Sequence, residues 1–283
     1  MYADDTQIYK SVSIANTPSL ITSLQICIED INTWMVTNKL KLNNDKTELL
    51  LINASKNKEY PTISNIKIGS EIVSFNEKAR NLGVYFDCNL SMEHQVNNLC
   101  KQLYIQLRTI GQLSHFLKKE SIQILVSAFI FSRLDYCNSL LANMPKTQLD
   151  RLQRIQNQAA RIITKTSIKE HVTPIFKQLH WLPVSARIEF KIATLCHKCL
   201  NSNAPSYLSE LLQKYEPTRT LRSADKNLLI TKPAKLKKFG DKAFSICAPT
   251  LWNSIPLSIR NIPSEKEFKS NLKTYLFKKY FNI

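Results

Sequence analysis

The feature that most constrains the fold is a change of hydrophobic period near Ser91. Before it, short apolar runs bounded by polar residues read as strands. After it, Val96, Leu99, Cys100, Leu103, Leu107 and Ile110 recur at three- and four-residue spacing, which puts them on one face of a helix. Ile122, Leu125, Val126, Phe129 and Ile130 make a second stripe, and Leu149, Leu152, Ile155, Ala159 and Ile162 a third. Three such helices on short links predict a small bundle. Only four glycines stand among 283 residues, which disfavours a glycine-rich phosphate loop and favours long helices. The fold class predicted is α+β.

The part ahead of Ser91 reads as strands around one helix. Thr6-Gln7-Ile8-Tyr9 alternates like a strand. Thr17-Pro18 predicts a helix start, with Thr17 as N-cap and Pro18 at the first helical position. Leu20, Leu24, Cys27, Ile28, Ile31, Trp34 and Met35 then share a face. Trp34 and Met35 are read as core against a sheet, not as ligand contacts, and Asn38 ends the helix. Leu40-Lys41-Leu42-Asn43 is a predicted short strand, and Thr47-Glu48-Leu49-Leu50-Leu51-Ile52 is apolar enough for a central one. Ile66-Lys67-Ile68 and Ile72-Val73-Ser74-Phe75 flank Gly69-Ser70-Glu71 as a β-hairpin. Leu82-Gly83-Val84-Tyr85-Phe86-Asp87 is one more strand.

Beyond the bundle, Pro174 and Pro183 bracket an apolar connector, Leu179-His180-Trp181-Leu182, and residues 186–200 read as a buried helix. Cys196-His197-Lys198-Cys199 invites a zinc reading. Structural zinc needs four ligands, and no second pair stands at suitable spacing, so the cysteines are read as small core residues. Phe244, Leu251, Trp252, Ile255 and Ile259 form an apolar patch. A last amphipathic helix spans residues 264–280, and docking on the bundle is preferred to a membrane-surface role.

A net charge of +17 points to a polyanionic partner, with a solvated basic surface as the alternative. Residues 1–213 hold 24 basic and 17 acidic side chains (+7), while residues 214–283 hold 15 and 5 (+10). Arg151, Arg154 and Arg161 share a flank of the third bundle helix, where they either track a phosphate backbone or face water. Lys235, Lys237 and Lys238 lie in a basic run that suits nucleic acid or a weak nuclear-import signal. Seven cysteines without framework spacing suggest free thiols in a reducing compartment. No apolar window approaches the ~20 residues of a membrane span and no signal peptide is apparent, so nucleus or cytoplasm is expected and no membrane partner.

The chain opens Met1-Tyr2-Ala3-Asp4-Asp5, and adjacent carboxylates in a turn suit a hard divalent cation such as Mg²⁺. Tyr2-Ala3-Asp4-Asp5 resembles the catalytic box of reverse transcriptases. Trp34-Met35-Val36-Thr37-Asn38-Lys39-Leu40-Lys41-Leu42-Asn43-Asn44-Asp45-Lys46-Thr47-Glu48 resembles the palm segment C-terminal to this box in non-LTR retrotransposons. Leu82-Gly83-Val84-Tyr85-Phe86-Asp87 is similar to the primer grip. Leu134-Asp135-Tyr136-Cys137-Asn138-Ser139-Leu140-Leu141, His180-Trp181-Leu182-Pro183-Val184, Phe239-Gly240-Asp241-Lys242-Ala243-Phe244 and Leu251-Trp252-Asn253-Ser254-Ile255-Pro256 resemble the region after the polymerase domain in LINE elements of the jockey/CR1 type.

The resemblance implies RNA-templated DNA synthesis with an RNA template, a DNA primer and Mg²⁺ held by Asp4 and Asp5. Tyr2 and Ala3 would shape the turn near the primer end, Lys46 would sit by the incoming nucleotide, and Leu82 and Gly83 would belong to the primer grip. It divides the chain into a partial palm (1–90, short strands plus one helix), a thumb-like helical bundle (91–170) and a helical, basic C-terminal region (171–283). The fingers and the first palm aspartate, which precede the box in the family, are not among these residues. The expectation is a C-terminal fragment without activity of its own. Its alternatives are a non-catalytic nucleic-acid-binding module and a scaffold protein that uses the Phe244, Trp252 and Ile259 patch.

Overall fold

A computed structural model describes residues 5–52, 65–68, 71–217, 226–234 and 237–283. The chain forms two compact units, Met1–Ser91 and Met92–Ile283. It is a mixed α/β protein, mostly helical, with a few short strands, which among the described residues all lie in the first unit.

In the first unit α1 (Thr17–Thr37) packs on β2 (Asn65–Ile68), where Gln25 Nε2 donates to the Lys67 carbonyl at 3.0 Å. β2 pairs antiparallel with β3 (Glu71–Asn76), as the hairpin reading expects, and β1 (Leu49–Leu50) joins β3 in parallel. The order β1-β3-β2 places β1 at an edge, not in the centre. β2 and β3 are sequence neighbours and pair locally, so β3 takes the middle and only two residues of the 47–52 run join it.

Trp34 is 61 % exposed, which corrects its reading as core. A 21-residue helix is about 30 Å long, whereas the four residues of β2 span about 13 Å, so the sheet covers only part of α1. At its start the N-cap is Asn16, and the Thr17 hydroxyl instead donates to the Ile14 carbonyl at 2.7 Å. Asn38 caps the other end. Lys39 comes next at φ 60°, and the Leu40 N–H donates back to the Met35 carbonyl at 2.8 Å. That closing turn draws residues 40–43 out of any strand. Residues 6–9 form no strand either; Gln7 Oε1 instead accepts from Asn81 Nδ2 at 2.7 Å.

The 82–87 run is a hairpin arm and its turn. β4 (Lys78–Asn81), which the sequence reading missed, pairs with β5 (Val84–Asp87). Leu82 and Gly83, at φ 46° and 84°, form the two-residue connection, where paired positive φ suits the twist of the strands. The buried Asp87 carboxylate accepts from the Asn89 N–H, the Ser91 N–H and the Ser91 hydroxyl, each at 3.0 Å.

The second unit is helical. α2 (Glu93–Leu113) buries Val96, Leu99, Cys100, Leu103, Leu107 and Ile110, the whole of the first stripe. α3 (Lys119–Val126) runs through a π-helical turn, Ser127–Phe131, into α4 (Ser132–Asp135). The π turn holds one residue more than an α turn and so rotates the side chains beyond it about the helix axis. Phe131 is buried in consequence, and Phe129, read as core, is 43 % exposed. α5 (Lys146–Thr164) packs on α2, α3, α6 (Val172–Leu179) and α7 (Val184–Leu200). Three short helices, α8 (Ser206–Ser209), α9 (Lys237–Gly240) and α11 (Leu257–Arg260), punctuate the rest. α10 (Phe244–Ser254) and α12 (Glu265–Phe281) both lie on α7.

The core here joins Ala186, Ala193 and Cys196 of α7 to Trp252, Ile255 and Ile259, and to Phe268, Leu272 and Leu276 of α12. Trp252 is 1 % exposed, so the expected apolar patch is interior. Its indole N–H donates to the Asn227 carbonyl at 3.0 Å, and the Asn253 amide pairs with both backbone groups of Leu229. A Cβ on Gly240 would sit 2.7 Å from Ala234 Cβ, so the turn of Phe239-Gly240-Asp241 admits no larger residue without movement. Trp252→Ala is expected to cost about 3–5 kcal/mol in urea unfolding.

α12 is also clamped to α7 by polar contacts. Tyr280 Oη donates to Glu189 Oε1 at 2.6 Å, and Lys279 Nζ to Glu189 Oε2 at 3.0 Å. Burial, and then the Glu189 carboxylate, push the Tyr280 phenol up to about 12 from its ordinary 10. A raised pKa in the folded state means that this contribution is intact below pH 10 and is lost as pH rises toward 12. Urea midpoints between pH 9.5 and 11.5 should therefore fall more steeply for the native chain than for Tyr280→Phe.

Candidate nucleic-acid interface

Tyr2, Ala3 and Asp4 lie outside the described residues, and Asp5 is exposed. Lys46 ends a 3₁₀ turn, Asn44–Lys46, and is also exposed. Two residues on, Glu48 Oε2 accepts from the Arg80 N–H at 2.8 Å, and β1 packs on β4. The structure thus brings the Lys46 segment to the hairpin that carries Leu82 and Gly83. Among the described residues no three His, Cys, Asp or Glu side chains gather as a metal site, and Asp4, the partner expected for Asp5, lies outside them.

The three arginines of α5 have separate fates. Arg161 donates from Nη2 to the Glu170 carbonyl at 2.8 Å and from Nε to the Ser167 carbonyl at 3.3 Å, holding the loop after α5. Arg151 is half-buried and donates to Gln148 Oε1 at 3.0 Å. Its charge partly offsets the burial that raises the Cys100 thiol. Arg154 is exposed and has no carboxylate partner among the described residues. Lys235 lies outside the described residues, and α9 contains Lys237 and Lys238.

A basic recess stands where the end of α5 meets the start of α3. Lys118, Lys119 and Lys165 line an open pocket of about 490 Å³ together with Glu120, Thr164 and Thr166. All three lysines are exposed and unpaired by carboxylates among the described residues. Lys165 adopts a left-handed conformation, φ 54°, as the C-cap of α5, and the Thr164 and Thr166 hydroxyls stand 2.7 Å apart. Lys118 is the N-cap of α3, whose first N–H groups favour negative charge. Sequence reading missed this cluster because its members are far apart in the chain. Lys118-Lys119 ahead of a helix was its one visible sign.

Other motif residues hold the framework. The buried Gln156 donates from Nε2 to the Leu182 carbonyl at 2.9 Å, while Gln153 Oε1 accepts from the Val184 N–H at 2.9 Å, so α5 fixes the start of α7. Asp135 pairs with both Nε and Nη2 of Arg187, whose guanidinium lies 4.3 Å from the Phe131 ring centre. Trp181 meets Phe131 edge-on at 4.5 Å. Cys196 and His197 are buried; His197 Nε2 bonds to the Ile262 carbonyl at 2.7 Å and its ring stacks on Phe268 at 4.2 Å.

Among the described residues no helix is long and apolar enough to cross a membrane. No protein-family model, curated protein or solved structure matches the chain.

Because Arg161 serves the fold and Arg154 does not, Arg161→Ala should cost about 1–2 kcal/mol in urea unfolding, with Arg154→Ala close to neutral.

Proposed function

We propose that this chain is the C-terminal part of a reverse transcriptase of a non-LTR retrotransposon, with a helical region that binds the template–primer duplex through its phosphates. The observation that carries this reading is the ordered series of motifs from Tyr2-Ala3-Asp4-Asp5 to Leu251-Trp252-Asn253-Ser254-Ile255-Pro256. The structural setting supports it. The palm-like segment leads into β1, and the primer-grip-like run is a hairpin beside it. On this reading residues 1–90 are palm, 91–170 thumb and 171–283 the region C-terminal to the polymerase domain.

Polymerase chemistry needs two metal ions held by carboxylates from two palm segments. The 283 residues carry Asp4 and Asp5 but not the aspartate of the earlier segment, so the chain alone is not expected to synthesise DNA. Binding ranks above catalysis for what it does by itself. The unspent cations Lys118, Lys119, Lys165 and Arg154 favour that second reading, because cations without carboxylate partners are free to displace counterions from a phosphate backbone. The scaffold alternative loses its surface, since Trp252 is interior.

Primer extension by the purified chain on an RNA template with Mg²⁺ should yield no product; template-dependent product lost in Asp4→Ala would overturn the claim of inactivity. Anisotropy of a labelled RNA–DNA hybrid should report binding that weakens steeply between about 50 and 200 mM salt. Charge reversal at both Lys118 and Lys165 should lower affinity about tenfold at low salt and flatten the salt slope by about two. Salt-insensitive binding, or none, would reject the interface.

A further inference from the structure

A second, smaller pocket lies beside a buried arginine that the polymerase reading does not use. Arg260, the last residue of α11, is 7 % exposed, and no carboxylate pairs with it among the described residues. Its Nη1 donates to the Asn227 carbonyl at 3.0 Å, the same oxygen that accepts the Trp252 indole. Its Nε is buried without any partner. Burial pulls the Arg260 pKa below its ordinary value, and no carboxylate in the described surroundings offsets the desolvated charge.

Arg260 lines a pocket of about 200 Å³ together with Lys214, Asn201, Asn227, Asn261 and Trp252. That is more room than one water, whose share of liquid volume is ~30 Å³. Lys214 is exposed and forms no salt bridge among the described residues, and Asn261 is exposed at the same rim. Asn201 and Asn227 already donate, to the His197 and Arg260 carbonyls. The donors that remain for a ligand include the Nε–Nη2 edge of Arg260, the Lys214 ammonium and the exposed Asn261 amide. A planar guanidinium edge matches two oxygens of one oxyanion, and a lysine adds a point charge.

We propose that this pocket binds a phosphate-class oxyanion, with Arg260 as its buried donor and Lys214 as its rim cation. Inorganic phosphate and a nucleic-acid phosphodiester present the same oxygens, and the pocket takes either. Its role is independent of the polymerase reading, because a free phosphate needs no polymerase.

The test is thermal unfolding of the full chain in low-millimolar inorganic phosphate at ionic strength held constant with chloride. That range lies below the concentrations at which excluded salts stabilise proteins generally. Tm should rise saturably with phosphate. Lys214→Glu should weaken the response at least tenfold, and Arg260→Gln should abolish it. If Arg260→Gln loses its helical circular dichroism, Asn261→Asp takes its place, since it sets a repelling carboxylate at an exposed rim position and should also weaken the response. A Tm that follows ionic strength equally in phosphate and chloride, or a saturable response unchanged by Lys214→Glu, overturns the proposal. Anisotropy of the labelled RNA–DNA hybrid separates the sources. Competition by phosphate together with weaker binding by Lys214→Glu assigns the pocket to a phosphodiester. Unchanged hybrid binding alongside a lost phosphate response assigns it to the free anion. Hybrid binding with no phosphate response in the native chain would sink the phosphate pocket and leave the duplex reading standing.

Discussion

The second unit depends on the burial of α7. This helix meets α5, α8, α10 and α12, and it brings both small and large apolar side chains to those contacts. Ala186, Ala193 and Cys196 are buried in the joint with Trp252, Phe268 and Leu272. Small residues on one helix let large ones on its neighbours fill the space to crystal-like density. The polar groups inside this joint are mostly paired: His197 is bonded to the Ile262 carbonyl, Thr194 to the Phe190 carbonyl, and Gln156 to the Leu182 carbonyl. Burial, with Cys199 and Cys247 nearby, drives the Cys196 thiol well above its ordinary pKa, which fits a cysteine used as a small apolar residue.

How much of this was legible in the sequence depends on how strong each periodic signal is. α2 is long and carries a clean stripe, and every residue of that stripe is buried. The last helix was equally plain: Ser264 caps it and accepts from the Glu267 N–H. Phe129 went wrong because stripe counting assumes a constant 3.6 residues per turn, and the π turn at Ser127–Phe131 breaks that assumption. The first unit was harder. Leu49-Leu50-Leu51-Ile52 has the composition of a central strand, yet strand order is fixed by which neighbours pair, and composition does not carry that. Trp34 failed for a related reason, since a helix can present an apolar face that the available sheet is too short to cover.

The candidate sites divide in the same way. Charge in the sequence says how many cations exist, but not which ones the fold consumes. Arg161 is consumed by a loop, Arg187 by Asp135, and Lys279 by Glu189. Arg154 and the three recess lysines are left over, and so is the buried edge of Arg260. Only the folded arrangement separates the spent cations from the available ones. Arg151, Arg154 and Arg161 looked equivalent along one flank, yet only Arg154 is both exposed and without a carboxylate partner among the described residues.

The central claim is that the helical unit meets a nucleic-acid duplex at the junction of α3 and α5. Hydrogen–deuterium exchange of the full chain, with and without an RNA–DNA hybrid at low salt, tests it most directly. The account predicts added protection in peptides covering Lys118–Glu120 and the Thr164–Thr166 turn, lost again when salt is raised. Protection confined to other parts of the chain, or none at saturating hybrid, would contradict it.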